Sequence, residues 1–213
     1  MNTELKIPAG TATLNGIFTL PEGATIAVLF AHGSGSSRYS PRNGFVASKL
    51  NQAGLATLLF DLLTPDEEAE DMQTGRHRFN IHLLAERLVH ATQWMRERKP
   101  TSHLGIGYFG ASTGGGAALV AAAGLPAEVG AVVSRGGRPD LAGEALCRVE
   151  APTLLVVGER DVVVLDLNQK ARQKMRCEVR LEIVPGATHL FEEAGALDQV
   201  ARLACDWFLR QAE

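Results

Sequence analysis

Six short runs in this 213-residue chain are apolar almost throughout: 25–31 (TIAVLFA), 55–61 (LATLLFD), 104–110 (LGIGYFG), 130–134 (GAVVS), 153–158 (TLLVVG) and 180–184 (RLEIV). A strand with one face in water alternates apolar and polar residues. Runs without that alternation must be covered on both faces, which is the condition of strands in a parallel sheet flanked by helices. The intervening stretches supply the helices. Ser40-Pro41 is a start signal, with serine as N-cap and proline in the first turn, and that helix runs toward Gly54. Over 79–98, Ile81, Leu84, Leu88 and Met95 fall near one face, with Glu86, Gln93 and Glu97 opposite. Residues 113–123, mostly Gly and Ala, suit a helix lying close on the sheet, and 166–176 and 195–211 supply the last two. Residues 4–8 and 12–20 read as two early strands turning at Ala9-Gly10, a plausible antiparallel edge. The expected architecture is one α/β domain over 1–213, a mostly parallel, doubly wound sheet with helices on both faces.

Composition narrows the function. Lys and Arg total 21 against 24 Asp and Glu, a formal charge of -3, and only 12 residues are aromatic (Trp 2, Tyr 2, Phe 8). That leaves neither the basic surplus nor the stacking surfaces of a nucleic-acid binder. Cys147, Cys177 and Cys205 are odd in number and far apart, which argues against a disulfide framework or a zinc knuckle. No run reaches 18 apolar residues and the first residues lack a signal-peptide pattern, so a soluble, cytoplasmic protein without a membrane partner is expected.

Chemistry concentrates where predicted strands end. Gly110-Ala111-Ser112-Thr113-Gly114 follows one strand and opens a helix. A serine on so sharp a turn needs small neighbours, projects its Oγ out of the sheet, and sits at a helix N-terminus that favours developing negative charge. Asp161 follows TLLVVG and His189 follows RLEIV, each just past a strand. The order Ser, Asp, His at three strand ends reads as a nucleophile, a histidine base and the acid that orients it. Glu159 competes with Asp161; in an extended segment it would point the same way but deeper toward the sheet. The loop Ala31-His32-Gly33-Ser34-Gly35-Ser36-Ser37 offers backbone donors, and the amides of Ser34 and Thr113 are assigned to an oxyanion hole.

With those motifs in place, the chain resembles the α/β-hydrolase superfamily in its compact dienelactone hydrolase-like branch. HGSGSS, FDLLTP, GYFGASTGGG, SRGGRPD, VVGERD and PGATHLFEE occur in the expected order along nearly the whole chain. The resemblance implies hydrolysis of an ester-type bond with no metal or organic cofactor. Dienelactone hydrolases proper use a cysteine nucleophile, whereas position 112 is serine. That shifts the expectation from a cyclic dienelactone to small or medium carboxylic esters or thioesters. A peptidase or acyltransferase using the same residues, and a non-catalytic binding protein on the same scaffold, remain alternatives.

Other signals are weaker. Gly105-Ile106-Gly107-Tyr108-Phe109-Gly110 spells a dinucleotide fingerprint, but its glycines fall inside a strand. His82, Glu86 and His90 share a polar helix face and lack a further ligand, so they read as a solvated surface. Arg135 should lie on the rim where ligands bind. It either clamps a substrate carboxylate or, as the favoured reading, pairs with Asp61, Glu159 or Asp140. Residues 62–78, with five acids between Asp66 and Asp71, read as a solvated loop bordering the pocket. No long insertion follows 130–134, so an open site without a lid is expected.

Overall fold

The computed structural model describes residues 2–211. Eight strands form one sheet: β1 (Asn2–Ala9), β2 (Ala12–Thr19), β3 (Ile26–Ala31), β4 (Ala56–Phe60), β5 (Gly105–Ala111), β6 (Val129–Arg135), β7 (Thr153–Gly158) and β8 (Val179–Val184). Their order is β1-β2-β4-β3-β5-β6-β7-β8. β3 through β8 run parallel, while the β1–β2 hairpin adds antiparallel to β4 at one edge. Six α-helices are described: α1 (Pro41–Gln52), α2 (Pro65–Thr74), α3 (Ile81–Arg96), α4 (Thr113–Gly124), α5 (Val162–Lys174) and α6 (Ala196–Arg210).

The unbroken apolar runs have the cause inferred for them. In β3, Ala27, Leu29 and Ala31 join the core beneath α3 and α4, while Ile26, Val28 and Phe30 join the core beneath α1 and α6. Side chains alternate between the two faces and both faces are dry. In α3, Ile81, Leu84, Leu88 and Met95 are buried and Glu86, Gln93 and Glu97 are exposed. α1 starts as its sequence predicts, with Pro41 in the first turn and Ser40 Oγ accepting from Asn43 N–H at 3.3 Å.

Three segments differ from expectation. The acidic stretch is not a loop but α2, whose N-cap Thr64 accepts from Glu67 N–H while the Glu67 carboxylate accepts from Thr64 N–H, a reciprocal capping box. Three of its five acids, Asp66, Glu67 and Glu68, lie in the first turn, where the helix dipole favours them, so charges that repel in a loop stabilise a helix end. α5 begins at Val162, four residues before the expected 166, because the chain turns into helix directly after Asp161. The β6–β7 connection contains a 3₁₀ helix, Pro139–Arg148, kinked at Gly143. It packs against α4 and forms no cap.

The sheet places the chemistry. β3 lies between β4 and β5, so the chain winds outward on one side of β3 and then on the other. A crevice opens at such a reversal, beyond the carboxyl ends of the strands. The loops after β3 and β5 form its walls.

Candidate active site

Ser112 stands between β5 and α4 with φ 52° and ψ -123°, left-handed backbone that a non-glycine residue adopts at a cost of about 1–3 kcal/mol. The surroundings enforce the turn. Ser112 N–H donates to Arg135 O at 3.2 Å, and Ser112 O accepts from Gly115 N–H and Arg138 N–H, each at 3.0 Å. The flanking glycines are steric requirements. A Cβ on Gly110 would stand 2.6 Å from Gly114 O, and one on Gly114 would stand 2.1 Å from Ala31 O. The turn carrying Ser112 and the loop after β3 therefore touch backbone to backbone.

His189 and Asp161, 28 residues apart, meet with Nδ1 and Oδ2 at 2.5 Å. The Asp161 side chain is 13% exposed and that of His189 38%, so the acid lies deeper than the ring it holds. With Nδ1 facing a carboxylate, Nε2 is the nitrogen left for proton exchange. Glu159 does not approach this pair. It is exposed, and its Oε2 accepts from Gly186 N–H at 2.7 Å, because the strand ends at Gly158 and the chain turns rather than continuing extended. That contact fastens the loop carrying His189 to the end of β7.

Ser112, His189 and Arg135 line one cavity of about 240 Å³, with Gly33, Ser34, Arg42 and Asn43 on its other walls. Ser34 N–H donates to Thr113 Oγ1 at 3.0 Å, and the two hydroxyls are also 3.0 Å apart. The amide of Thr113 lies in the first turn of α4, where helical N–H groups lack intrahelical acceptors. The two residues whose amides are assigned to an oxyanion hole are thus brought together, with the Ser34 N–H already engaged by the Thr113 hydroxyl.

His32 is a residue whose part was not read from the sequence. Nδ1 donates to Gly33 O at 2.9 Å, and Nε2 accepts from Leu62 N–H at 3.1 Å. Both nitrogens are used by the neutral ring, and burial holds its pKa below the ordinary value, outweighing the Gly33 contact and the Asp61 charge. It locks the loop after β3 to the loop after β4. Asp61 reinforces that lock, accepting from Arg38 N–H at 2.8 Å and pairing with the Arg38 guanidinium.

Arg135 departs from the favoured expectation. None of its three proposed carboxylates pairs with it: Asp61 holds Arg38, Asp140 holds Arg138 at 2.7 Å, and Glu159 holds Gly186 N–H. The residue is 7% exposed, its Nε and Nη1 meet no acceptor, and Nη2 reaches Asn43 Oδ1 only at 3.5 Å. Burial first, and the neighbouring Arg42 second, lower its pKa to about 10.

The decoys resolve simply. Gly105 through Gly110 lie within β5. His82 and Glu86 face solvent, and among the described residues no three His, Cys, Asp or Glu side chains gather as a metal site would require. The three cysteines are free, and no described helix is long and apolar enough to cross a membrane.

Comparison with known proteins agrees with this fold. A family model described as an alpha/beta hydrolase domain matches residues 24–206. Two Mycobacterium tuberculosis proteins, from strains CDC 1551 and H37Rv and provisionally named phosphoribosyl transferases, are 57% identical over 206 residues. The match takes in 97% of this chain but only 46% of theirs, so the chain spans about half the length of these curated relatives. A crystal structure named dienelactone hydrolase, from Anabaena variabilis, is 58% identical with a TM-score of 0.97, covering 99% of this chain and 97% of that one. Est1E of Butyrivibrio proteoclasticus shares the fold at 16% identity and a TM-score of 0.81, covering 98% of both chains.

Proposed function

The chain belongs to the alpha/beta hydrolase family, in its dienelactone hydrolase-like branch, and we propose that it is a serine hydrolase of small to medium carboxylic esters or thioesters. The observation that carries the reading is the 2.5 Å contact between His189 Nδ1 and Asp161 Oδ2, made beside a serine in strained left-handed backbone on the same cavity.

The chemistry follows from those positions. His189 Nε2 takes the proton of Ser112 Oγ as the oxygen attacks the acyl carbonyl, and Asp161 stabilises the imidazolium that results. The carbonyl oxygen gains negative charge beside the first turn of α4, where the amide of Thr113 donates to it and that of Ser34 shares its hydrogen between it and Thr113 Oγ1. The intermediate collapses as His189 protonates the departing alcohol or thiol. Water, deprotonated by His189, then attacks the acyl-enzyme, and the carboxylic acid leaves with Ser112 restored. Each step uses groups this chain supplies.

The provisional name of the mycobacterial relatives attaches to proteins about twice as long as the matched stretch. The residues gathered around Ser112 support acyl transfer to water. A fluorophosphonate probe should label Ser112 stoichiometrically, and p-nitrophenyl esters or acyl-CoA thioesters should be hydrolysed by the native chain but not by Ser112→Ala. Absence of both labelling and turnover would favour the ligand-binding alternative. A preference for amides or for non-water acceptors would favour the peptidase or acyltransferase reading.

A further inference from the structure

The cavity beside Ser112 contains positive charge without a negative partner. Arg135 rises from the end of β6, paired in the sheet with Ala111, the residue before the nucleophile, and its carbonyl accepts Ser112 N–H at 3.2 Å. The residue is more than nine-tenths buried, two of its guanidinium nitrogens have no acceptor, and the ring of Phe191 lies 5.8 Å from the guanidinium carbon. A second guanidinium, Arg42, lines the same cavity; its Nε is buried without a partner, and its Nη1 reaches outward to Glu192 at 3.2 Å.

Six carboxylates at this end of the sheet have other partners, Glu193 among them through Thr188 N–H at 3.1 Å. Asp61 holds Arg38, Asp140 holds Arg138, Glu192 holds Arg42, Glu159 caps Gly186 N–H and Asp161 holds His189. A buried charge is tolerated when it is paired, and one left unpaired penalises the fold. Two like charges facing one small cavity compound that penalty. An anion entering the cavity removes it, and guanidinium is the side chain best matched to carboxylate and phosphate oxygens.

We propose that Arg135, assisted by Arg42, selects esters that carry a second, anionic oxygen group, a carboxylate or a phosphate, a few bonds from the scissile carbonyl. The spacing follows from the scaffold: Arg135 and the nucleophile are joined backbone to backbone, so the two ends of the substrate are separated by little more than one side chain. A cavity of about 240 Å³ has room for a short acyl group. Half-esters and half-thioesters of short dicarboxylic acids fit this description. The selection deepens the serine-hydrolase reading and rests on it for its kinetic test alone.

That test compares p-nitrophenyl butyrate with mono-p-nitrophenyl succinate, of equal length but bearing a carboxylate. The readout is the ratio of their kcat/KM values, so any general effect of a substitution on rate cancels. The native chain should favour the succinate ester, Arg135→Met should reduce the ratio tenfold or more, and Arg135→Lys should retain part of it. An unchanged ratio in Arg135→Met would overturn the proposal. Should Arg135→Met not accumulate, Arg42→Met should lower the same ratio, and an unaltered ratio there counts equally against the idea. Binding is tested without turnover on Ser112→Ala: monomethyl succinate or methyl phosphate should raise its melting temperature, and whichever does so identifies the anion. An effect from neither would overturn the anion site even if Ser112 proves to be the nucleophile, and an effect from either would keep the site even if it does not.

Discussion

Oγ1 of Thr113 accepts the N–H of Ser34 at 3.0 Å, joining loops 79 residues apart in sequence across the mouth of the cavity. The hydroxyl thereby holds the single hydrogen of an amide assigned to the oxyanion, which receives it only as a shared bond. Thr113→Val keeps the shape and the backbone amide of residue 113 but loses that anchor. It should lower kcat about tenfold with little change in KM, less than the loss of a whole oxyanion donor. Thr113→Ser should restore most of the rate. Steady-state kinetics with a p-nitrophenyl ester checks this, and a kcat equal to native in Thr113→Val would detach the Ser34 amide from catalysis.

Asp161 and Glu159 make opposite predictions despite lying two residues apart. Asp161→Asn removes the charge behind His189 and should cost on the order of 10³–10⁴ in kcat. Glu159→Gln alters only the clasp on Gly186 N–H and should cost less than tenfold. The reverse ranking would identify Glu159 as the orienting acid.

His32 predicts a stability profile. Its folded-state pKa lies below the ordinary value of 6.5 because burial disfavours the cation. As pH falls below about 6.5 the unfolded chain binds a proton that the folded chain refuses, so stability drops by up to about 1.4 kcal/mol per pH unit until the folded ring protonates. Urea unfolding at pH 7.5 and pH 5.5 should show this loss. His32→Gln, which can still accept from Leu62 N–H, should be less stable at pH 7.5 but flatter between the two. An equal pH dependence in both chains would assign the loss to other groups.

Two glycines at opposite ends of one helix test the steric account of the elbow. Gly114→Ala would drive a methyl group into Ala31 O and His32 O, whereas Gly124→Ala meets nothing within 4 Å. The first should cost about 2–4 kcal/mol or prevent folding. The second should be neutral or stabilise by up to about 1 kcal/mol, as alanine usually does in place of a helical glycine. Thermal melts of the two variants give the comparison.

Much of this was legible in the sequence because the decisive patterns are local. The strand runs, the Ser40-Pro41 helix start and the Gly-x-Ser-x-Gly turn each depend on a few consecutive residues, and the structure reproduces them within one or two positions at most ends. α2 was missed although Thr64-Pro65-Asp66-Glu67 contains its cap, because a dense acidic run was weighed as repulsion rather than as complement to a helix N-terminus. The earlier start of α5 and the exposure of Glu159 share another cause: the sequence does not reveal that the chain leaves the strand plane immediately after Gly158. Arg135 was beyond reach for a third reason. Whether it pairs depends on which of several nearby acids are already taken, and those commitments are tertiary.

At position 135 the main chain and the side chain have separate occupations. The carbonyl holds the amide of Ser112 whatever side chain follows, while the guanidinium alone faces the cavity with its charge uncompensated. A mutation there changes the charge that faces the cavity and leaves the hydrogen bond to Ser112 standing, so a designer seeking a new preference has this position to begin from.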